Sequence, residues 1–307
     1  MNTLFMRYVY DDRYGYKGWF PLHRCRECSH GFLSGDFRPD ELKTMYTDYY
    51  PRSTLSPEKY EPRKEVKGFH SWLNGERCLA YSWVPKNVRI LDIGCGFGES
   101  LGYHRSRGCE VYGVEMDENI RRVADRFQLD VHVGTFDPSM YAPGFFDYVT
   151  MDQVIEHVAN PRETFRGIAR ILKPGGMVVV NTPNANGWGR TVFGSRWLHW
   201  HAPYHLHHFS VQSMKLATGR AGLVVETIRT ITSSEWLHYQ WNHLVAYPEM
   251  GTPSGFWSPN RALSRKENAW KQILSIIHLS RINHLITRLF DALGAGDNYL
   301  FIVRKPP

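Results

Sequence analysis

Between Val88 and Asn181 the sequence alternates short apolar runs with amphipathic segments, and few folds accommodate that order. Runs at 88–92, 110–115, 131–133, 146–151 and 177–181 are rich in Val, Ile and aromatic residues and read as strands. Between them lie helices. One runs over 99–107 and stops at Gly108. A second begins at Asp117 as N-cap and buries Ile120, Val123, Ala124 and Phe127. A third begins at Asn160, with Pro161 in the first turn. Lys173-Pro174-Gly175-Gly176 is a turn. Such alternation predicts an α/β protein, with a parallel sheet covered by helices on both faces. Further strands are expected at 223–228 and 299–303.

The flanks are less regular. Residues 1–62 show no clear period, and 64–83 carries helical spacing ended by Pro85. Residues 183–209 form an aromatic, histidine-rich loop, and a helix capped by Ser210 follows, stopped by Gly222. The expected organisation is an N-terminal extension at 1–62, a core at 63–231, a helical insertion or lid at 232–295 and a last core strand within 296–307.

The stretch RILDIGCGFGES, residues 89–100, places Gly94, Gly96 and Gly98 between a strand and a helix. A dinucleotide turn would read G-x-G-x-x-G. Here the third glycine comes one residue early and Glu99 stands in its place, which disfavours a diphosphate. Asp92 precedes the turn, and Glu115 ends the next strand, where a carboxylate can hold both hydroxyls of a ribose. Two carboxylates and a close backbone suit a cationic, ribose-bearing ligand without phosphates, and S-adenosylmethionine is such a ligand.

LDIGCGFG, GVEMD, FDYVTMDQVIEHV, LKPGG and VVVNTPN, taken in order, resemble successive motifs of class I S-adenosylmethionine-dependent methyltransferases. PYHLHHFSVQSMKLATGRAGLVVE and GAGDNYLFIVRKP are similar to later segments of the same group. The resemblance implies a Rossmann-like, seven-stranded, mostly parallel sheet. It also implies that Gly94, Cys95, Gly96 and Gly98 approach the cofactor, that Asp92 orients its methionine end, and that Glu115 holds the ribose. Met116 would pack on adenine. Thr135 stands where the group usually carries an acidic residue for the adenine amine. Asp152 and Gln153 would lie beside the methyl group and the substrate.

If the acceptor is a hydroxyl, a base helps, and histidine suits that role at neutral pH. The candidates are His157 and, in HWHAPYHLHHFS, His205, His207 and His208, with His207 or His208, assisted by Tyr204, placed first. His157 has an alternative reading as a purely structural residue. The loop has no local Asp, Glu or Cys, so its histidines are expected to shape a polar pocket and no metal is assigned. Cys25-Arg26-Glu27-Cys28 and the later ELKTMYTDYY look like the second half of a zinc ribbon found before related sugar and polysaccharide methyltransferases. Only one cysteine pair is present there, and metal is not assigned to it either.

The net charge of +7 suits an acidic partner. Without an arginine-rich run or a nucleic-acid motif, nucleic acid ranks last among these. Five cysteines, an odd number, argue for a reducing, cytoplasmic setting. The amphipathic segment from Trp270 to Leu293 can pack on the core, pair with a copy or rest on a membrane surface. The expected activity is methyl transfer to a hydroxyl of a small metabolite, with a sugar, nucleotide- or lipid-linked, placed first. A quinone-like or natural-product hydroxyl is the near rival. A nicotinamide oxidoreductase and a non-catalytic binding protein of the same fold are the readings from other classes.

Overall fold

The computed structural model describes residues 3–35, 41, 44–50 and 57–307. Part of the ribbon-like segment ELKTMYTDYY, at Leu42 and Lys43, lies outside them. The strands of the central sheet are β4 (Arg89–Ile93), β5 (Glu110–Glu115), β6 (Asp130–Val133), β7 (Phe146–Asp152), β8 (Leu172–Pro183), β10 (Val224–Thr230) and β11 (Asn298–Arg304). Their order is β10-β11-β8-β7-β4-β5-β6. Ladders from β6 across to β8 are parallel, and β11 alone runs against its two neighbours. The central strands are buried on both faces, which explains their continuous apolar runs: Ile90 and Leu91, then Val178, Val179 and Val180.

Helices α2 (Glu99–Arg105), α3 (Ile120–Phe127), α4 (Pro161–Ile171) and α6 (Val211–Gly219) cover the sheet. Phe165, Ile168 and Ile171 of α4 and Met214 of α6 join Val149, Met151 and Phe301 in one core. Leu101, Ile120 and Val123 form a second cluster with Cys95 and Tyr60. The first strand β4 pairs with β5 on one side and β7 on the other. The order in which strands are added to the sheet therefore reverses there, and open α/β sheets bind ligands at the carboxyl ends of strands at such a point.

The described residues of the N-terminal extension hold more regular structure than expected. Strands β1 (Thr3–Val9), β2 (Phe20–Cys25) and β3 (Gly31–Leu33) form an antiparallel sheet. Its fourth strand is β9 (His207–His208), supplied by the histidine loop. That pairing spans more than 170 positions, so no local period announces it. Cys25 and Cys28 sit in a tight turn: Ser29 N–H donates to Cys25 O at 3.0 Å and Cys25 N–H to His30 O at 2.8 Å. Both thiols are free. The Ser210 hydroxyl donates to Cys28 O at 2.6 Å, tying this turn to the start of α6.

Two expected helices are broken. The segment 64–83 holds only α1 (Gly68–Asn74), followed by 3-10 turns at 76–78 and 80–83, with Gly75 left-handed at φ +75°. The histidine loop also contains a short helix α5 (Trp188–Phe193). The insertion holds α7 (Ser234–Val245), α8 (Arg265–Leu279) and α9 (Ile282–Ala292); Arg281, at φ +69°, separates the last two.

Candidate active site

At the carboxyl end of β4, Gly94 and Gly96 adopt φ of +74° and +56°. A Cβ on Gly94 would lie 2.4 Å from Val154 Cγ2, so packing demands glycine there. A Cβ on Gly96 would meet nothing within 4 Å, so that side of the turn faces open space. Glu115 holds the turn from β5: its carboxylate accepts Gly96 N–H and Asp117 N–H, each at 2.9 Å. Both bonds leave lone pairs for hydroxyl donors.

The turn opens on a cleft of about 270 Å³ lined by Asp92, Cys95, Gly96, Asp152, Gln153 and Arg63 among others. Asp92 is buried and accepts the hydroxyls of Ser100 and, at 2.7 Å, Thr150; burial pushes its carboxyl up to about 6. Asp152 accepts Ala80 N–H at 3.0 Å and Asn181 Nδ2 at 2.7 Å, and burial raises it as well. Burial also raises the Cys95 thiol well above its ordinary value, so it is a packed thiol and no nucleophile. Gln153, left-handed at φ +56°, leaves a buried Nε2 without a partner among the described residues, beside the cleft. An orphaned donor of this kind calls for an acceptor that a ligand would bring. With buried carboxylates on one wall and the exposed cation Arg63 on another, the donor set fits the ammonium and carboxylate of a methionyl group. Met116 is 65% exposed next to Glu115, an uncovered apolar surface suited to a base. Thr135 is exposed in the bend after β6.

Past β7, Glu156, His157 and His205 each offer one donor atom, all within 4.8 Å of one another. Nδ1 of His157 lies 3.0 Å from the carbonyl of Tyr204, and Nδ1 of His205 lies 2.9 Å from that of His199. A carbonyl only accepts, so both nitrogens carry hydrogen and both Nε2 atoms present lone pairs. Burial holds His157 down to about 4 and pushes Glu156 up to about 8. Thr182 donates to one Glu156 oxygen at 3.0 Å, and the other has no partner among the described residues.

The remaining sequence candidates lie elsewhere. His207 and His208 form β9 against Phe32 and Gly31. Nδ1 of His207 faces Nε2 of His30 at 3.1 Å. His208 is 2% exposed, with its ring 5.0 Å from Trp200. The Tyr204 hydroxyl points at Asp11, 3.5 Å away. These three side chains hold the N-terminal sheet to the core; at the site the bonds come from backbone, Tyr204 O against His157 Nδ1 and His207 N–H donating to Glu156 O at 3.0 Å.

A family model described as a methyltransferase domain matches residues 59–228, more than half of the chain. The chain belongs to this methyltransferase family. It carries a methyltransferase domain. The match spans the glycine turn, Glu115 and the Glu156–His157 pair. Among similar proteins is the ubiquinone biosynthesis O-methyltransferase of Dechloromonas aromatica (strain RCB), 31% identical over 144 residues, 43% of this chain and 60% of that one. The same-named protein of Pseudomonas aeruginosa (strain LESB58) is 34% identical over 120 residues, 35% of this chain and 52% of that one. The methyltransferase thus spans between half and two thirds of the length of these curated relatives. A solved S-adenosylmethionine-dependent methyltransferase from Archaeoglobus fulgidus aligns with 74% of this chain and 88% of its own at 19% identity, with a TM-score of 0.44.

Sequence reasoning on the methyltransferase missed Arg63 and Glu156, and it ranked His205, a candidate, behind His207 and His208. Glu156 stood beside a named candidate, and its lack of a charged neighbour in sequence was the available signal. Arg63 precedes the core and is brought to the cleft by a backbone bond from its N–H to Glu99 O at 2.9 Å, which no local pattern encodes.

Proposed function

We propose that this methyltransferase transfers the methyl to a hydroxyl of a small phenolic, quinone-like acceptor, with His157 as the base. The observation that carries this is the tautomer of His157: its Nδ1 is committed to a carbonyl and its Nε2 is free. When bound, S-adenosylmethionine supplies an electrophilic methyl. The chain must hold the acceptor oxygen in line, exclude water and take the proton. A phenol, whose pKa is about 10, gives up that proton more readily than an aliphatic hydroxyl. The names of the similar ubiquinone biosynthesis O-methyltransferases agree with this choice. A sugar hydroxyl is the second reading, favoured by the intact cysteine turn that ends β2.

Glu115, Gly94, Gly96, Gln153 and Arg63 are proposed to hold the cofactor, with Asp92 and Asp152 fixing the cleft walls. Cys95 and Gly98 shape the turn, Met116 covers the base and Thr135 lies at its edge. The Glu156–His157–His205 group also has the donors for a divalent ion, in which case the ion would polarise the acceptor oxygen. Activity lost to a chelator and restored by added Mg²⁺ or Zn²⁺ would favour that form of the reading.

The test is S-adenosylhomocysteine release across catechols, hydroxyquinones, sugar nucleotides and lipid-linked sugars. Turnover with the phenols is expected; turnover with sugars alone would replace the first reading by the second. His157→Ala is expected to lower kcat by roughly 10²–10⁴-fold while leaving cofactor affinity within about twofold. Unchanged kcat would remove His157 from the chemistry.

A further inference from the structure

Helix α9 is inside out. It buries Asn283, His284, Thr287 and Arg288 and exposes Ile282, Leu285 and Leu289. Hydrogen bonds fix that orientation. Asn283 accepts Trp241 Nε1–H at 3.1 Å, and Arg288 donates to Trp72 O and to Asp291, each at 2.6 Å. Helix α8 continues the surface: Trp270, Ile273, Ile276 and Leu279 recur every third residue, and Leu279 is 75% exposed. Helix α1, packed beside α9, adds exposed Phe69 and Trp72. Scattered exposed apolar residues are ordinary on a protein surface, but an ordered stripe of this length is not.

The charges around the stripe select its occupant. Lys266, Lys271 and Arg281 are exposed along it. The two carboxylates between Ser264 and Leu293 are both neutralised: Glu267 pairs with Arg261 at 3.1 Å and Asp291 with Arg288 at 2.6 Å. A second copy laid on this face by two-fold symmetry would set cations against cations with no acid to answer them. An anionic bilayer answers both features, taking the apolar side chains into its acyl boundary and the lysines at its headgroups. No helix among the described residues is long and apolar enough to cross a membrane, so contact is by surface. A few residues after Trp72, Leu79 and Ala80 already line the cofactor cleft.

We infer that the exposed apolar face of α8 and α9, with Phe69 and Trp72, docks the enzyme on an anionic lipid surface. The inference does not depend on which acceptor is methylated. The test is co-sedimentation of the full chain with vesicles of phosphatidylcholine alone, and of phosphatidylcholine and phosphatidylglycerol in roughly equal parts, with solution mass measured in parallel. Binding to the anionic vesicles should be at least about tenfold stronger than to phosphatidylcholine. Leu279→Asp with Leu285→Asp should weaken it about tenfold or more, and Lys266→Glu with Lys271→Glu should erase the preference for phosphatidylglycerol. These positions are exposed, so melting temperature and turnover of a soluble acceptor should hold. Three outcomes would each overturn the inference: a wild-type chain left in the supernatant, equal binding by the leucine variant, or a dimer that the leucine variant dissociates.

Discussion

Replacing Glu115 by Ala is expected to weaken S-adenosylmethionine binding by about 1.5–3 kcal/mol, on the order of ten- to a hundredfold. Two losses act together. The ribose loses its charged acceptor, and the Gly96 and Asp117 amides that the carboxylate now fixes are released. Glu115→Gln separates them: its amide oxygen can still accept one of those N–H groups but carries no charge, so it should fall between wild type and Ala. Isothermal titration with S-adenosylhomocysteine reads both. Wild-type affinity in Glu115→Ala would remove this residue from the cofactor site.

The second large effect is on stability in acid. Burial is the largest cause holding His30, His199 and His208 down to about 3, and His104, His157, His207 and His284 down to about 4. His201 and His205 lie well below their ordinary value for the same reason. For each, the folded pKa is below the unfolded one, near 6.5. The unfolded chain therefore binds more protons in between, and the stability these groups contribute above pH 6.5 is lost as pH falls through the folded values. Buried carboxyls act oppositely. Asp11, Asp92 and Asp291 are raised to about 6, Asp297 to about 7 and Glu156 to about 8, so their penalty is relieved as pH falls. Asp152 is raised as well, and nine histidines against six carboxyls decide the sign. Melting temperature should drop steeply between pH 6.5 and 4.5; both ring nitrogens of His104 lack a partner among the described residues, and His104→Phe should shift the fall to lower pH. A flat profile over that range would show that these histidines do not bury neutral.

What could be read beforehand follows the range of the interactions. β4, β5 and β7 were legible because parallel strands covered on both faces must be apolar throughout. The N-cap at Asn160 was legible because its side chain acts three residues away, accepting Glu163 N–H at 3.3 Å. The N-terminal sheet was not, because its last strand comes from His207 and His208. The outward apolar face of α9 was not, because the bonds that turn it are made to Trp72, Thr232 and Trp241, residues far away in sequence. The site divides in the same way. The glycine turn and Glu115 belong to contiguous motifs. Among many histidines, only the carbonyls at Tyr204 and His199 reveal which rings present a free Nε2 beside Glu156.

Gly96→Ala tests the central assignment most directly, because the added methyl enters the space proposed for the cofactor and meets no atom of the described residues within 4 Å. The left-handed backbone there costs about 1 kcal/mol for alanine, so the chain should fold and melt within a few degrees of wild type. Titration with S-adenosylhomocysteine should nevertheless show affinity reduced tenfold or more, as roughly 1.4 kcal/mol of lost contact would give. A folded Gly96→Ala protein that binds as tightly as wild type would mean that the cofactor does not lie on this turn.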